Sequence, residues 1–350
     1  MVSFYPGPSR VYDGVPRWTA EAARKGILSM NHRSPAFMNM VKETRALLQT
    51  KLNVPKSYSI FFVSSATECW EILAQSLIDK DSLHIHNGAF GEKWYQYTKR
   101  LKPGATEFHF DRETLPDLSP VTAGAGTLLC LTHNETSNGT ALPVTFMRET
   151  RKKFPSNLIA VDATSSMAGV ALDFKLADAW FASVQKCFGL PAGLALLICS
   201  PAAMARAGQL NEALHYNSLV YMQAMMDKFQ TTHTPNVLGI YLLNRSLRSR
   251  NRISVIDRAI RNRAKAWYSL FETHASLRPL IREPKVRSHT VVTVTAQPGY
   301  LEEIKKKTSK KGILLGEGYG NLKATTARVA NFPAIKTLEI RRLMQIFHRL

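Results

Sequence analysis

Phe181-Ala182-Ser183-Val184-Gln185-Lys186-Cys187-Phe188-Gly189-Leu190-Pro191-Ala192-Gly193-Leu194 is the stretch on which the reading of this chain turns. An apolar run ends in a lysine, a loop rich in glycine and proline follows, and a second apolar run continues to Ser200. Short apolar runs bounded by turn residues read as buried strands. The spacing therefore places Lys186 at the end of one strand, beside a tight turn into the next. Burial there would lower the pKa of the amine and free it to form an imine. The ordinary alternative is a solvated lysine at a strand end, and the local pattern leaves both open.

Outward from this stretch, 58–63, 82–86, 126–132, 157–161, 179–183 and 194–200 read as strands. Between them, 68–78 has helical periodicity and 146–154 reads as a basic amphipathic turn. Alternation of β-rich runs with helical patterns predicts stacked βα units and a mainly parallel sheet, hence an α/β domain. Beyond residue 205 the texture is helical to about 280. A Val- and Thr-rich strand follows at 288–296, and a closing helix at 335–349. The expected division is a large domain over 15–255 and a smaller α+β domain built from 1–14 and 256–350. No internal repeat or low-complexity tract interrupts the chain.

The composition is that of an ordinary folded protein: 350 residues, 45% apolar and 21% charged. The start, Met1-Val2-Ser3-Phe4-Tyr5-Pro6-Gly7-Pro8, has neither the charge nor the apolar run of a secretory signal. The most apolar stretch, 192–200, is too short to span a bilayer. Cys69, Cys130, Cys187 and Cys199 show no CxxC spacing, which fits reduced thiols in a cytoplasmic protein and gives no metal site. The formal charge of +20 can focus small anions toward a cleft or attract nucleic acid nonspecifically. Its densest run, 245–265, has helical spacing without interleaved aromatics, so a solvated helix face is favoured over a specific nucleic-acid site.

Two further segments bear on chemistry. Leu158-Ile159-Ala160-Val161-Asp162-Ala163-Thr164-Ser165-Ser166 puts an acid at the carboxyl end of a buried strand, the edge at which open α/β sheets bind ligands. A carboxylate there can hold a pyridinium nitrogen protonated, or it can simply cap the next turn. Ser64-Ser65-Ala66-Thr67-Glu68 lies between a strand and a helix, where small residues, hydroxyls and a helix N-terminus suit a phosphate. A helix cap with Glu68 in the first turn is compatible with the same residues.

Taken together, these segments resemble the class V aminotransferases of pyridoxal-phosphate (PLP) fold type I, most closely their phosphoserine aminotransferase branch. The likeness runs from Pro6-Gly7-Pro8 to the closing helix. Its most specific points are the Asp162 strand and Gln185-Lys186 with the Gly-Leu-Pro-Ala-Gly-Leu that follows. The resemblance implies a PLP fold type I large domain with a mainly parallel sheet flanked by helices, plus the small C-terminal domain. It also implies a homodimer acting on amino-acid and 2-oxo-acid substrates. The implied reaction moves an amino group between glutamate and 3-phosphohydroxypyruvate, giving phosphoserine and 2-oxoglutarate in serine biosynthesis.

Residue by residue, the resemblance makes Lys186 the cofactor-bearing amine and proton shuttle, with Asp162 at the pyridine nitrogen. It makes Phe90, where the family usually has Trp, the ring that stacks on the cofactor, and Thr136 in Asn134-Glu135-Thr136 a hydroxyl partner of the cofactor. Ala66, Thr67 and Gln185 would hold the phosphate together with Thr234 from the partner subunit. His32 and Arg33 would bind the substrate phosphate, and Arg328 the substrate α-carboxylate. Two departures remove positive charge: Glu68 stands where an arginine is frequent, and Gly318-Tyr319-Gly320 replaces a Gly-His-Arg, with Lys323 the nearest candidate to compensate. Within the class, the alternative is an enzyme for unphosphorylated substrates, of the alanine–glyoxylate or serine–pyruvate type. A cysteine desulfurase is disfavoured because no Cys follows Cys199.

Overall fold

The computed structural model describes residues 1–349. The first half runs β1 (Val2–Phe4), α1 (Gly14–Arg24), α2 (Pro35–Leu52), β2 (Ser59–Val63), α3 (Ala66–Leu77), β3 (Ser82–His86), α4 (Ala89–Leu101), β4 (Thr106–His109), β5 (Leu128–Thr132), β6 (Asn134–Glu135), β7 (Thr140–Ala141), α5 (Val144–Lys153) and β8 (Ile159–Asp162). The second half runs β9 (Ala179–Ser183), β10 (Ala195–Cys199), α6 (Pro201–Leu210), α7 (Leu219–Met226), α8 (Val237–Ser249), α9 (Ile253–Thr273), β11 (Arg278–Pro279), β12 (Val291–Thr295), α10 (Pro298–Lys310), β13 (Ile313–Glu317), β14 (Thr326–Ala330) and α11 (Thr337–His348).

Seven strands form the main sheet in the order β2-β10-β9-β8-β5-β3-β4. Its pairs from β4 to β9 are parallel, and β10 runs antiparallel to both neighbours. Every residue of β5, β8, β9 and β10 is buried. That explains why these strands appear in the sequence as continuous apolar runs and not as alternating patterns: helices cover both faces of the sheet. The register Thr132↔Asp162↔Phe181 lines up the carboxyl ends of three strands, so the Asp162 loop and the Lys186 loop leave the sheet side by side.

A second sheet, β1-β13-β14-β12-β11, joins the N-terminal segment to the C-terminal third. Its first strand lies parallel to β13, with Val2 opposite Ile313. Helix α9 runs unbroken from Ile253 to Thr273, so residues 255 and 256 both lie in its first turn.

One local expectation is corrected, and one strand goes beyond those expected. The segment 146–154 is no turn but helix α5, which buries Phe146, Met147 and Thr150 and leaves its basic residues at the C-terminal end, where the helix dipole favours cations. Strand β4 carries a mostly exposed Thr106-Glu107-Phe108-His109, and an edge strand of this kind has no apolar run to announce it. Among the described residues no helix is long and apolar enough to cross a membrane, and no cluster of metal-ligating side chains occurs. All four cysteines are buried and unpaired.

Candidate active site

Helix α3 begins with reciprocal capping: Ser65 Oγ accepts from Glu68 N at 3.0 Å, while Glu68 Oε2 accepts from Ser64 N at 2.7 Å. The other carboxylate oxygen accepts from Tyr216 Oη and Asn217 Nδ2. Glu68 is thus a structural cap that faces away from the cavity. Ala66 N donates to Ser183 Oγ at 2.8 Å, which ties the helix start to the end of β9 and exposes the positive end of the helix beside Ala66 and Thr67.

Lys186 is only 7% exposed. Its Nζ donates to Thr136 Oγ1 and to Ser165 Oγ, both at 2.9 Å, and lies 5.3 Å from the centre of the Phe90 ring. Burial lowers the amine's pKa to about 8, against the opposing pull of Asp162 and Glu135. Asp162 is buried as well, and burial raises its pKa despite the hydrogen bond that Oδ1 accepts from Thr164 N at 2.8 Å. A further close approach is built by the N-terminal segment. A Cβ on Gly7, whose φ is +152°, would come within 2.9 Å of Lys186 Cε, so a side chain here would displace the lysine.

Phe90 is held from below. The buried Glu135 carboxylate accepts from Phe90 N at 3.2 Å and Gly91 N at 3.1 Å with one oxygen, and from Ser137 N and Oγ with the other. On its outer side Phe90 packs against Tyr319 with ring centres 5.1 Å apart. Tyr319 Oη in turn accepts from Lys93 Nζ. Arg328, projecting from β14, donates Nε to Glu317 O at 2.7 Å and Nη1 to Thr136 O at 3.0 Å, with its guanidinium 5.5 Å from the Tyr319 ring centre. Replacing Glu135 with glutamine puts an amide N–H against donors and should loosen Phe90. The expected result is a several-fold rise in the cofactor dissociation constant with little loss of thermal stability, read by fluorescence titration and differential scanning calorimetry.

These groups surround one cavity of about 280 Å³. It is lined by Ala66, Thr67, Phe90, Thr136, Asp162, Gln185, Lys186 and Arg328. Thr164 and Asn134 also line it, and Thr164 Oγ1 and Asn134 Nδ2 are buried without a hydrogen-bond partner. Buried polar atoms are nearly always satisfied, so two orphans on one cavity wall mark places where a polar ligand belongs. An amine, an acid, an aromatic face and a helix N-terminus are the donor set that a pyridine ring carrying an aldehyde and a phosphate calls for, and the residues fit PLP.

Three expected site residues are elsewhere in the protomer. Arg33 turns its guanidinium to Gln230, with Nη1 2.8 Å from Oε1. His32 lies close enough to His233 and Arg33 for their charges to add to the burial that lowers its pKa. His32, Arg33 and Thr234 do not line the cavity, and they share the surface around 230–234. Lys323 is likewise outside, 3.5 Å from the Glu317 carboxylate. Ser165, Glu135 and Tyr5 carry no signal of a role in the sequence, yet Ser165 bonds Lys186, Glu135 braces Phe90, and Tyr5 lines the cavity. The first two follow regular landmarks at Asp162 and Asn134, but only the contacts reveal what they do.

A family profile of the class V aminotransferases matches residues 7–332. The chain belongs to this family, the fold type I PLP-dependent transaminases. It is similar to the phosphoserine aminotransferase of Corynebacterium glutamicum, with 29% identity over 91% of this chain and 86% of that protein. Among solved structures, a phosphoserine aminotransferase from Cytophaga hutchinsonii is 30% identical with a TM-score of 0.94, covering 99% of this chain and 98% of that one. An alanine–glyoxylate aminotransferase from Nostoc sp., 19% identical with a TM-score of 0.80 over 99% and 94% of the two chains, shares the fold.

Proposed function

We propose that the chain is a phosphoserine aminotransferase: it moves an amino group between glutamate and 3-phosphohydroxypyruvate, with PLP held in the cavity around Lys186. The observation that carries this reading is the buried Lys186 amine, poised beside the Phe90 ring with Asp162 in the same cavity. Bound PLP supplies an aldehyde that condenses with amines and a ring that accepts electron density from the carbon being deprotonated. The protein does the rest. With PLP bound, the Asp162 carboxylate would hold a proton on the ring nitrogen, and Phe90 would stack on the ring. The N-terminus of α3 at Ala66 and Thr67, with Gln185, takes the phosphate. Thr136 and Ser165 hold the lysine amine where it can carry a proton between neighbouring carbons.

The guanidinium of Arg328 meets the substrate α-carboxylate, and orientation of this kind sets which bond lies across the ring. His32, Arg33 and Thr234 form one patch, and in a homodimer the partner subunit would bring that patch to the cavity mouth as a unit. The reading also carries the division into 15–255 and 1–14 with 256–350, and a cytoplasmic setting in which the four thiols stay reduced.

One observation favours the second reading, a transaminase for unphosphorylated substrates. Among the described residues, the cations lining the cavity are Lys186 and Arg328 alone, both assigned to other duties, and Tyr319 also lines it, 5.5 Å from the Arg328 guanidinium. The deciding experiment is an assay of the purified enzyme with glutamate as donor and either phosphohydroxypyruvate or glyoxylate as acceptor. Strong turnover of glyoxylate with none of phosphohydroxypyruvate reverses the assignment.

Two further results are expected. Phe90→Ala removes the stacking face and should weaken PLP binding roughly tenfold, measured by release of the visible chromophore on dilution. Condensation with PLP needs the neutral amine, and burial brings the Lys186 pKa down to about 8 in the cofactor-free chain. The rate of reconstitution should therefore climb as pH rises through that value and level off above it. A rate that falls between pH 7 and 9 contradicts the assignment of this amine.

A further inference from the structure

Of the basic residues between 245 and 265, Arg250 alone is fully buried, at 7% exposure. The expected solvated helix face holds for Arg248, Arg252, Arg258, Arg261 and Lys265 and fails here. Arg250 ends α8 and turns inward, where Nη2 donates to Ala168 O while Nε and Nη1 are buried without a partner. Among the described residues no carboxylate pairs with it. A buried guanidinium with two unsatisfied nitrogens and no counter-charge is a costly arrangement for an empty protein.

The space it borders is a separate cavity of about 310 Å³. Arg263 lines the same cavity from α9, half-buried, bonded only to Ile335 O and Thr337 Oγ1. Tyr12, Ser249 and Asn251 complete its polar wall, and among the described residues no acidic one lines it. Both guanidiniums act on the Tyr12 phenol, but burial prevails and holds its pKa above the ordinary value, so the hydroxyl remains a donor. Two fixed cations, a phenol and an amide around a pocket without a carboxylate define a site for an anion with several acceptor oxygens.

We propose that this cavity is a second anion site, which takes inorganic phosphate or the phosphate of a small phosphorylated metabolite between Arg250 and Arg263. Two of its lining residues, Arg250 and Tyr12, touch the loops that follow Asp162 and Lys186. Arg250 bonds Ala168 on the loop that follows Asp162, and its guanidinium lies 6.0 Å from the ring centre of Phe188, two residues after Lys186. Tyr12 N donates to Gly189 O at 2.9 Å, and the Tyr12 ring packs so closely that a Cβ on Gly189 would come within 2.8 Å of it. An occupant therefore bears on the turn that carries the reactive lysine.

The test uses the PLP-loaded enzyme, whose cofactor keeps free anions out of the phosphate cradle of the active site. Crystals soaked in selenate should show an anomalous peak between residues 250 and 263. In solution, hydrogen exchange of the amides at 186–190 should slow with inorganic phosphate. Arg263→Gln should weaken that protection roughly tenfold while leaving turnover in phosphate-free buffer unchanged, and Arg263→Lys should retain part of it. Arg250→Gln also loses the Ala168 contact and can fail by misfolding, so the rim residue carries the test. Inorganic phosphate and a phosphorylated sugar, titrated separately, distinguish the free ion from an ester as the preferred occupant. Absence of the anomalous peak, or identical protection in wild type and Arg263→Gln, overturns the proposal.

Discussion

Lys186→Ala is expected to leave a folded protein that lacks the visible absorption of lysine-bound PLP and has lost on the order of 10⁴-fold or more of its transaminase activity, since both a covalent anchor and a positioned acid–base group disappear. The fold should survive, because the lysine contributes little that holds it together. Its two side-chain hydrogen bonds go to Thr136 and Ser165, and those hydroxyls bond each other as well. Removing a buried amine also relieves a desolvation cost. The measurements are the absorption spectrum with and without borohydride treatment, the melting temperature, and turnover with glutamate. Added small primary amines should restore some turnover, because the cavity left by the side chain opens beside the Phe90 ring. A variant that keeps its colour and activity would remove Lys186 from the chemistry altogether.

Asp162→Asn is expected to cost roughly 10² to 10³ in turnover, the usual loss when one fixed charge aimed at a developing charge is neutralised. The substitution keeps the shape, and the side-chain oxygen can still accept from Thr164 N. Stability should hold or rise. Burial already pushes the Asp162 carboxyl upward in pKa, which means that the empty pocket disfavours its charge. Activity and stability then move in opposite directions, and that split separates a group placed to act on a ligand from one that merely caps a turn. A melting temperature that falls in step with the activity would favour the cap.

The strands that carry these two residues were legible because both faces of the sheet are covered. Residues 159–162, 179–183 and 195–199 are buried without exception, and such strands appear as unbroken apolar runs whose ends can be found by eye. The edge strand at Thr106–His109 has no such run and was missed. Glu68 illustrates a different limit. Its position in the first helical turn permits either a ligand contact or a cap, and the structure decides for the cap because Ser64 N, Tyr216 and Asn217 already surround the carboxylate.

Local sequence determined the parts of the site that lie within a few residues of a strand end: Lys186 beyond β9, Asp162 closing β8, and the α3 N-terminus after β2. Strand polarity and turn chemistry act over short distances, so a linear string records them. Tertiary structure alone decided which distant groups meet. Thr136 reaches Lys186 across 50 positions, and Arg328 reaches Thr136 across 192. It also sent Arg33 to Gln230 and away from the cavity, and turned Arg250 inward while Arg248, Arg252 and Arg258 stayed in solvent. Contacts of that kind depend on how sheets and helices pack in three dimensions, and no periodicity along the chain encodes them.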